Sequence, residues 1–404
     1  ITARLEQGIQ AIFDSDRYKE FLTAMSKFHD YSLNNTILIA MQGGNLVKGY
    51  SQWQKEFDRH VKSGEKGIKI FAPAPYKVKK LVDKIDPDTR KPILDSEGKT
   101  VKEEKEVTVP DEVTVIRVAD SRLALAQLSA AYFDHPAKEL TTIGITGTKG
   151  KTTATYMVRS ILEASGFKTG LIGTIETIIG DTVIPSVNTT PESYVVQESF
   201  RKMVDAGCKC VVMEVSSQAL MLHRVFDYGI FTNLEPDHIG PNEHKDLADY
   251  IHCKSLLFKQ CKHGIFNADA HHLDEILEGH TCEVETYGFG EDADLHASNV
   301  HLMDKGGTLG VAYHMSGALD MDVEIDIPGT FSVYNSMTAI AICRHFGVQK
   351  ETILNSLSQI RVKGRVEILP VSSKFTLMID YAHNAMSLES LLSTLREYHP
   401  KRLV

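Results

Sequence analysis

The chain has no apolar run that approaches the ~18 residues needed to span a bilayer, so the sequence indicates a protein without membrane segments. Its six cysteines include no C-x-x-C pair, which argues against a zinc ribbon and against a disulfide framework. Its 17 histidines include no H-E-x-x-H motif, and no internal repeat or low-complexity tract occurs. From these absences we expect a reduced, cytoplasmic protein.

The front of the chain has neither an initiator methionine nor a charged-then-apolar leader, so we expect a fragment without a signal peptide. The length of 404 residues predicts two or three domains. The net charge of −9 is unevenly distributed, because residues 1–80 contain 13 Lys and Arg against 8 Asp and Glu. The acidic remainder can still bind anions, since local loops and Mg²⁺ set the field at a site.

The string IGITGTKGKTT predicts a phosphate-binding loop. An apolar run enters a loop with Gly147 and Gly150, and a helical pattern follows at once. Glycines let backbone N–H groups curl around a phosphate, and the start of a helix adds partial positive charge. In such a loop Lys151 reaches the outer phosphates, and the hydroxyl of Thr152 holds Mg²⁺.

The match to the general phosphate-binding motif is imperfect, because that motif has a glycine where this chain has Ile145. The alternative without a function is a glycine turn that precedes a lysine by chance. The apolar periodicity on both sides of the loop argues against that alternative.

From about residue 109 onward, strands and helices alternate with the spacing of a parallel sheet. The helix at 120–133 has Asp120 or Ser121 as its predicted N-cap. The apolar face of the helix after the loop consists of Ala154, Met157, Val158, Ile161 and Leu162. Strands are predicted at 113–118, 168–174, 208–217, 229–234, 263–269 and 374–383, an antiparallel region at 282–327, and further helices at 333–346 and 350–360.

Polar residues follow several of these predicted strands, where ligands bind in open parallel sheets. Glu214 is a candidate Mg²⁺ ligand, although a carboxylate that caps a strand end is an ordinary alternative. The other strand-end candidates are Asn233, Asp237 and His238 after one strand, and Asp380 and His383 after another. A lone histidine is usually structural, but a histidine beside an aspartate at a strand end is a better candidate for a ligand.

A series of strings follows in order along the chain, within a match that runs from about residue 110 to the end: TGTKGKTT, NTTPES, MEVSSQAL with HRV, TNLEPDH, YIHCKSLLF, GTFSVYN, KGRVE and DYAH. In these strings and their order the chain resembles the Mur ligases, of the UDP-N-acetylmuramoyl-tripeptide synthetase type. The resemblance implies an α/β fold with a P-loop parallel-sheet central domain at 109–361. A small α+β domain at 1–108 would precede it, and a truncated Rossmann-like domain at 362–404 would follow.

The resemblance also implies the roles of individual residues. The ATP-binding positions are Gly147, Thr148, Lys149, Gly150, Lys151, Thr152, Thr153, Asn335, Arg365 and Asp380. The Mg²⁺ positions are Thr152, Glu214, His238 and Lys254, the last as a carbamylated lysine. The positions that contact the UDP-linked peptide are Thr189, Thr190, Ser216, Arg224 and His383, and the catalytic positions are Lys151, His238 and Lys254.

Three features of the chain depart from the pattern of the family. Ser332 stands where relatives often have asparagine, and Leu222 replaces a polar substrate contact. The segment between His238 and Lys254 is two residues longer than in the family pattern. These departures bear on the detail of the site and not on its class.

The implied activity is ATP-dependent amide ligation in peptidoglycan biosynthesis, through an acyl phosphate and with Mg²⁺. The partners would be UDP-N-acetylmuramoyl-L-alanyl-D-glutamate and an amino acid, either diaminopimelate or lysine, and we expect a monomer. Folylpolyglutamate synthetase is an alternative within the superfamily, against which the NTTPES and HRV strings argue. A nucleotide-binding pseudoenzyme without turnover is another alternative.

The front of the chain carries a different resemblance. The strings NNTILIAMQ, GYSQW and GEKGIKIFAPAPY make residues 3–110 similar to the N-terminal domain of ArdC-type antirestriction proteins, a family associated with single-stranded DNA binding. A basic, stacking surface for single strands would consist of Tyr50, Trp53, Lys55, Arg59, Lys62, Lys66 and Lys69. A solvated face around a core tryptophan is equally compatible with these residues. Helices are predicted within residues 1–40, a strand at 68–72, and an exposed hairpin or linker at 78–108.

Taken together, the two resemblances suggest a fused or frame-joined chain whose ligase part is incomplete at its end. We expect such a chain to bind ATP and to complete ligation slowly. The alternative from another class is a single-stranded DNA-binding protein that carries the ligase segment as a passenger.

Overall fold

The structure, a computed structural model, describes residues 76–84, 100–109, 118–220, 226–237, 239–240, 243–306, 308–369, 371, 375–382 and 385–403. The chain divides into two compact units, Ile1–Arg117 and Val118–Val404. The helices predicted within residues 1–40, the strand at 68–72 and all but the last residue of the strand at 113–118 lie outside the described residues. Over the described part of the chain, every helix is too short or too polar to cross a bilayer.

The described part of the first unit is an antiparallel pair of strands. Strand β1 spans Tyr76–Asp83 and strand β2 spans Lys102–Val109, with Tyr76 opposite Val109. This pairing confirms the hairpin interpretation of residues 78–108.

The second unit is built on an eleven-stranded sheet. Its strands are β3 Thr141–Thr146, β4 Thr169–Ile172, β5 Glu176–Ile179, β6 Thr182–Pro185, β7 Cys210–Glu214, β8 Phe226–Phe231, β9 Cys261–Asn267, β10 Glu283–Gly288, β11 Leu295–Asp304, β12 Leu309–Gly317 and β13 Met321–Ile325. Their order across the sheet is β13-β12-β11-β10-β9-β8-β3-β7-β4-β5-β6. The run from β11 to β4 is parallel, and antiparallel strands complete both ends.

Helices cover both faces of this sheet. They are α1 Ser121–Tyr132, α2 Lys151–Ala164, α3 Ser193–Asp205, α4 Ser217–Leu220, α5 Leu247–Ser255, α6 Leu273–Leu277, α7 Thr330–His345 and α8 Lys350–Gln359. Strand β7 shows the two-sided burial, because Val212 belongs to one hydrophobic cluster and Val211 and Met213 belong to the other. Alternate side chains of a strand point to opposite faces, and strands buried on both faces read as continuous apolar runs.

Two helix predictions are confirmed in detail. Asp120 is the N-cap of α1, and its Oδ1 accepts hydrogen bonds from the backbone N–H of Arg122 at 2.8 Å and of Leu123 at 3.1 Å. Five predicted core residues of α2 are fully buried, and they are Ala154, Met157, Val158, Ile161 and Leu162. This face packs α2 on the sheet, and α7 lies beside α2. The start of α2 is thereby held against the centre of the sheet.

The prediction of an antiparallel region over 282–327 is wrong for its first strand. Strand β10 pairs in parallel with β9 and with β11, and the antiparallel region covers β11, β12 and β13. The short helix α6 provides the crossover that a parallel connection needs. A helix of five residues is too short to show a clear period in the sequence.

The chain ends with a two-stranded antiparallel sheet and a helix. Strand β14 spans Glu367–Leu369, β15 spans Leu377–Ile379 and α9 spans Ala385–Arg396. The strand predicted at 374–383 is therefore shorter than expected, and Asp380 follows it directly. The division of the chain at residues 108 and 361 stays a prediction.

Candidate functional site: a phosphate-binding cleft at the carboxyl edge of the sheet

The loop between β3 and α2 depends on two glycines. Gly147 has φ +151° and Gly150 has φ +84°, which lie in the region that favours glycine. A Cβ atom on Gly150 would collide with the side chain of Asn335, and one on Gly147 would collide with the hydroxyl of Thr232. The loop thus passes close to the end of β8 and to α7, and it leads directly into the first turn of α2.

The residues after β8 hold this loop in place. Asn233 accepts a hydrogen bond from the Lys149 backbone N–H at its Oδ1 (2.9 Å) and donates from Nδ2 to the Lys149 carbonyl oxygen (3.1 Å). The Thr148 N–H donates to the Asn233 carbonyl oxygen at 3.0 Å, and the Lys149 ammonium pairs with Glu235 at 2.7 Å. A cleft of about 730 Å³ opens beside the loop.

A hydroxyl and a carboxylate meet at the first turn of α2. Thr152 Oγ1 donates to Glu214 Oε2 at 2.9 Å, and Glu214 is fully buried at the end of β7. Thr174 donates to the same carboxylate from its backbone N–H (2.7 Å) and from its hydroxyl (3.0 Å). These oxygen atoms form a donor set of the kind that Mg²⁺ prefers.

Two cations face this pair. Lys151 Nζ donates to the carbonyl oxygens of Gly147 at 2.9 Å and Thr148 at 3.1 Å. Burial lowers the pKa of Lys151, nearby Glu214 opposes that shift, and Arg365 adds to it. Arg365 Nη2 lies 3.5 Å from Thr152 Oγ1. The cleft therefore combines positive charge with a helix start, which suits the phosphates of a nucleotide.

Lys254 lies beneath the loop. It projects from α5, is 1% exposed, and donates from Nζ to the carbonyl oxygen of Gly147 at 2.9 Å. Its Nζ also lies 4.6 Å from the centroid of the Tyr250 ring. Burial lowers the pKa of Lys254 well below its ordinary value, the charge of Lys151 lowers it further, and Asp237 opposes both effects.

Aromatic rings and polar side chains together line another part of the cleft. Asn335 lines it beside Tyr334, whose hydroxyl donates to Asp269 Oδ2 at 3.0 Å and whose ring meets Phe289 edge-on. Asp380 accepts backbone hydrogen bonds from Val366 and Ala382 at 2.8 Å each. The guanidinium of Arg365 lies 4.6 Å from the centroid of the Tyr381 ring. A planar base and a ribose would find ring faces and polar groups here.

Comparison with known proteins agrees with this geometry. Residues 145–343 match the family model described as the Mur ligase middle domain. Residues 145–343 form a Mur ligase middle domain. Residues 1–116 match the N-terminal domain of anti-restriction factor ArdC, so both resemblances drawn from the sequence are confirmed.

Two curated relatives of this Mur ligase segment are UDP-N-acetylmuramoyl-L-alanyl-D-glutamate–2,6-diaminopimelate ligases. That of Caldanaerobacter subterraneus subsp. tengcongensis is 40% identical over 298 residues, and ligase 1 of Clostridium acetobutylicum is 41% identical over 298 residues. Each alignment covers 72% of this chain and 61% of the relative. The chain thus spans about three fifths of the length of these relatives.

Solved structures show the same fold. A structure of UDP-N-acetylmuramoyl-L-alanyl-D-glutamate–2,6-diaminopimelate ligase has a TM-score of 0.59 at 20% identity and covers 70% of this chain and 61% of its own. The Mycobacterium tuberculosis folylpolyglutamate synthase complexed with ADP and AMPPCP has a TM-score of 0.55 at 17% identity and covers 68% of this chain and 70% of its own. The predicted fold class is confirmed.

The predicted substrate side of the Mur ligase cleft adjoins Glu214. Thr174 and Thr189 share a hydrogen bond between their hydroxyls at 3.1 Å. Thr190 donates to the Glu214 carbonyl oxygen at 3.0 Å and accepts from the Ser216 N–H at 2.9 Å. The predicted substrate residues Thr189, Thr190 and Ser216 therefore lie within one hydrogen-bonded network with a predicted metal ligand.

Most of the predicted site residues come together. Those that line the cleft are Thr148, Lys149, Gly150, Lys151, Thr152, Thr153, Thr189, Glu214, Asn335, Arg365 and Asp380, while Gly147 belongs to the loop and its carbonyl oxygen accepts a hydrogen bond from Lys254 beneath it. Arg224, His238 and His383, like Leu222, lie outside the described residues. Ser332 is buried and donates to the Pro328 carbonyl oxygen at 2.9 Å, so its hydroxyl is engaged within the helix start. The roles of all these residues stay predictions.

Three contributors were missing from the predicted set. Thr174 and Asp269 each follow a strand of the sheet, so the strand-end rule that found Glu214 extends to them. Tyr250, which contacts Thr148 at 3.1 Å through its hydroxyl, lies within a helix and carried no comparable signal.

Proposed function

We propose that this chain is an ATP-dependent amide ligase that joins diaminopimelate to UDP-N-acetylmuramoyl-L-alanyl-D-glutamate. The observation that carries the proposal is the 2.9 Å contact between Thr152 Oγ1 and buried Glu214, at the start of the helix that follows the glycine loop. The names of the relatives at about two fifths identity support this substrate pair. Lysine as the added amino acid is the alternative outcome of the assay below.

The residues fit ATP and Mg²⁺. The oxygen donors Thr152 and Glu214 would hold the metal, with Lys254 as a carbamate and His238 as further ligands. Lys151 and Arg365 supply the positive charge that phosphates need. Bound Mg²⁺ would supply neutralisation of phosphate charge.

The proposed chemistry proceeds in two balanced steps. The substrate carboxylate takes the terminal phosphoryl group of ATP, which yields an acyl phosphate and ADP. The amine of the amino acid then attacks the acyl carbon, the C–N bond forms, and phosphate leaves as the amine loses its proton. Lys151 and Arg365 hold the phosphates in line and stabilise the transferred group, which is the main contribution that a protein makes to phosphoryl transfer.

The test is product formation from ATP, UDP-N-acetylmuramoyl-L-alanyl-D-glutamate and either diaminopimelate or lysine. We expect the UDP-linked tripeptide, ADP and phosphate in equal amounts, and we expect Lys151→Ala to abolish both ATP binding and product. Lys202→Ala, which alters an exposed lysine on α3, is the matched control. Unchanged ATP affinity in Lys151→Ala contradicts the assignment of the loop.

The same assay separates the rival functions. Product with a folate acceptor and none with the UDP-linked dipeptide would favour a folylpolyglutamate synthetase. ATP binding without any product would favour a pseudoenzyme. A full-length diaminopimelate ligase measured alongside tests the expectation of slow turnover, which is wrong if the two rates agree within about tenfold, a barrier difference of ~1.4 kcal/mol.

A second activity is proposed for the first unit, because residues 1–116 match the ArdC N-terminal domain. We propose that this unit binds single-stranded DNA through the basic residues around Trp53. The full chain should bind an oligo-dT, and the affinity should fall steeply as salt rises, because phosphate contacts release counterions. Trp53→Ala should weaken binding about tenfold, as stacking of one base is worth ~1–3 kcal/mol. Binding that neither salt nor this substitution changes contradicts the proposal.

A further inference from the structure

A chain of three buried or half-buried polar side chains lies beside the cleft. Ser217 Oγ is 2.7 Å from His244 Nε2, and His244 Nδ1 is 2.9 Å from Asp249 Oδ2. Ser217 begins helix α4, directly after the turn that follows β7, while Asp249 lies in the first turn of α5. His244 is only 2% exposed, so its ring has exchanged water for these two partners.

The hydrogen-bond partners of His244 determine which of its ring nitrogens carries a proton. An ionised carboxylate only accepts hydrogen bonds, so His244 Nδ1 carries a proton toward Asp249. The hydrogen bond from His244 lowers the pKa of Asp249. In the neutral ring, Nε2 then accepts from the Ser217 hydroxyl. Both ring nitrogens are thereby engaged.

These three side chains form neither a site for a nucleophilic serine nor a metal site. Ser217 is 6% exposed, so an acyl substrate has no approach to its Oγ. The Cys253 thiol lies within 4.8 Å of the His244 and Asp249 ligand atoms, but both nitrogens of the ring already serve hydrogen bonds. The chain is therefore built to hold two segments together.

Each end of the chain leads to the predicted machinery. On one side, Ser217 is bonded in sequence to Ser216, whose N–H is held by Thr190. On the other side, the His244 ring packs on Tyr250 with 5.1 Å between centroids. Tyr250 in turn contacts Thr148 through its hydroxyl and supports Lys254 with its ring.

We propose that His244 is a positioning residue that keeps the turn after β7 in register with α5. It would thus set the distance between the substrate contact at Ser216 and the metal-side amine of Lys254. The consequence for catalysis rests on the proposed function, whereas the coupling of the two segments does not. Loss of the hydrogen bonds that join Ser217, His244 and Asp249 should weaken substrate binding more than nucleotide binding. The reason is that the glycine loop keeps its own contacts with Asn233.

The first experiment is hydrogen exchange by mass spectrometry on the full chain. His244→Phe keeps a ring against Tyr250 and removes both hydrogen bonds. We expect amide exchange about tenfold faster in both 214–217 and 247–255, from the loss of hydrogen bonds that each contribute to local stability. His301→Phe, at an exposed ring on β11, is the control and should leave both segments unchanged. Faster exchange in 247–255 alone overturns the coupling.

Single-bond variants cover the case in which His244→Phe does not fold. Ser217→Ala removes one hydrogen bond and Asp249→Asn weakens the other, and each should speed exchange in both segments. Added Cd²⁺ provides a further check, because a thiolate-to-metal absorption band that Cys253→Ser abolishes would show a metal site and overturn the positioning role.

The second experiment is kinetic. In His244→Phe we expect the KM for the UDP-linked dipeptide to rise about tenfold while the Kd for ATP changes less than about twofold. A merely structural role would reduce the active fraction, so kcat would fall with KM unchanged, and that result overturns the inference. If the unaltered chain shows no ligation, the proposed function fails, and the exchange experiment still decides the role of His244.

Discussion

Lys254 donates a 2.9 Å hydrogen bond from its Nζ to the carbonyl oxygen of Gly147. The two residues are 107 positions apart in the chain. A buried lysine on α5 thus supports the loop that is proposed to bind phosphates, and its depressed pKa favours the neutral amine. A neutral amine is a nucleophile, so the structure gives a physical basis for reaction with CO₂.

We predict that Lys254 carries a carbamate. The amine attacks CO₂, the N–C bond forms, and one proton is released, which leaves a negatively charged oxygen ligand beside the glycine loop. Incubation of the chain with ¹³C-bicarbonate should give a carbamate resonance in the carbon NMR spectrum. Lys254→Arg should lack it and Lys305→Arg, at an exposed lysine, should retain it. A bare ammonium at full occupancy in high-resolution density contradicts the prediction.

The same lysine should make the unfolding free energy depend on pH. Its folded-state pKa lies below the ordinary value, so between the two values the unfolded chain binds more protons than the folded chain. Stability then rises with pH from the lowered folded-state pKa toward about 10.4, the ordinary lysine pKa. Lys151, whose pKa is also lowered, contributes with the same sign.

Lys254→Met should flatten this rise, because it removes the ionisable group and keeps most of the side-chain volume. Urea unfolding at several pH values between about 7 and 10 measures the slope of the unfolding free energy against pH. Bicarbonate is left out so that the lysine stays unmodified. Lys202→Met, at an exposed position, should leave the slope unchanged. A steeper rise in Lys254→Met than in the unaltered chain would show that the sign is wrong.

Gly150 and Gly166 form a matched pair for a test of the loop. Both have φ +84°, but a Cβ atom on Gly150 would strike Asn335, whereas one on Gly166 would meet nothing within 4 Å. Gly166→Ala should lower the free energy of unfolding by only ~1–2 kcal/mol, because alanine is strained in the left-handed backbone conformation. Gly150→Ala should cost more and should also abolish ATP binding. Equal losses of stability and normal ATP affinity in the two variants would contradict the role of Gly150.

Thr152 allows a test of the hydroxyl apart from the side-chain shape. Thr152→Val keeps the shape and removes the donor to Glu214, so the apparent affinity for Mg²⁺ during turnover should fall about 10–100-fold. Thr152→Ser keeps the hydroxyl and should remain within about tenfold of the unaltered chain. Titration of Mg²⁺ at saturating ATP measures both variants. If Val and Ser behave alike, the hydroxyl is not a ligand.

Local patterns in the sequence predicted the elements that depend on neighbours in the chain. The glycine loop, the Asp120 cap and the buried face of α2 are all determined within a few residues, by backbone freedom, capping and helical period. The strand-end rule found Glu214 because parallel strands present their carboxyl ends at one edge. The resemblance to Mur ligases then supplied roles that no local pattern indicates, such as that of Lys254.

The tertiary structure decided which of these groups meet. Thr152 and Glu214 are 62 positions apart and Arg365 and Thr152 are 213 apart, so no periodicity connects them. The parallel pairing of β10 and the contact of Tyr250 with Thr148 also depend on the crossover helices that bring distant segments together. The sequence by itself thus determined the chemistry available at each strand end and helix start. The distances between those groups follow from sheet order and helix packing, which are cooperative properties of the whole domain.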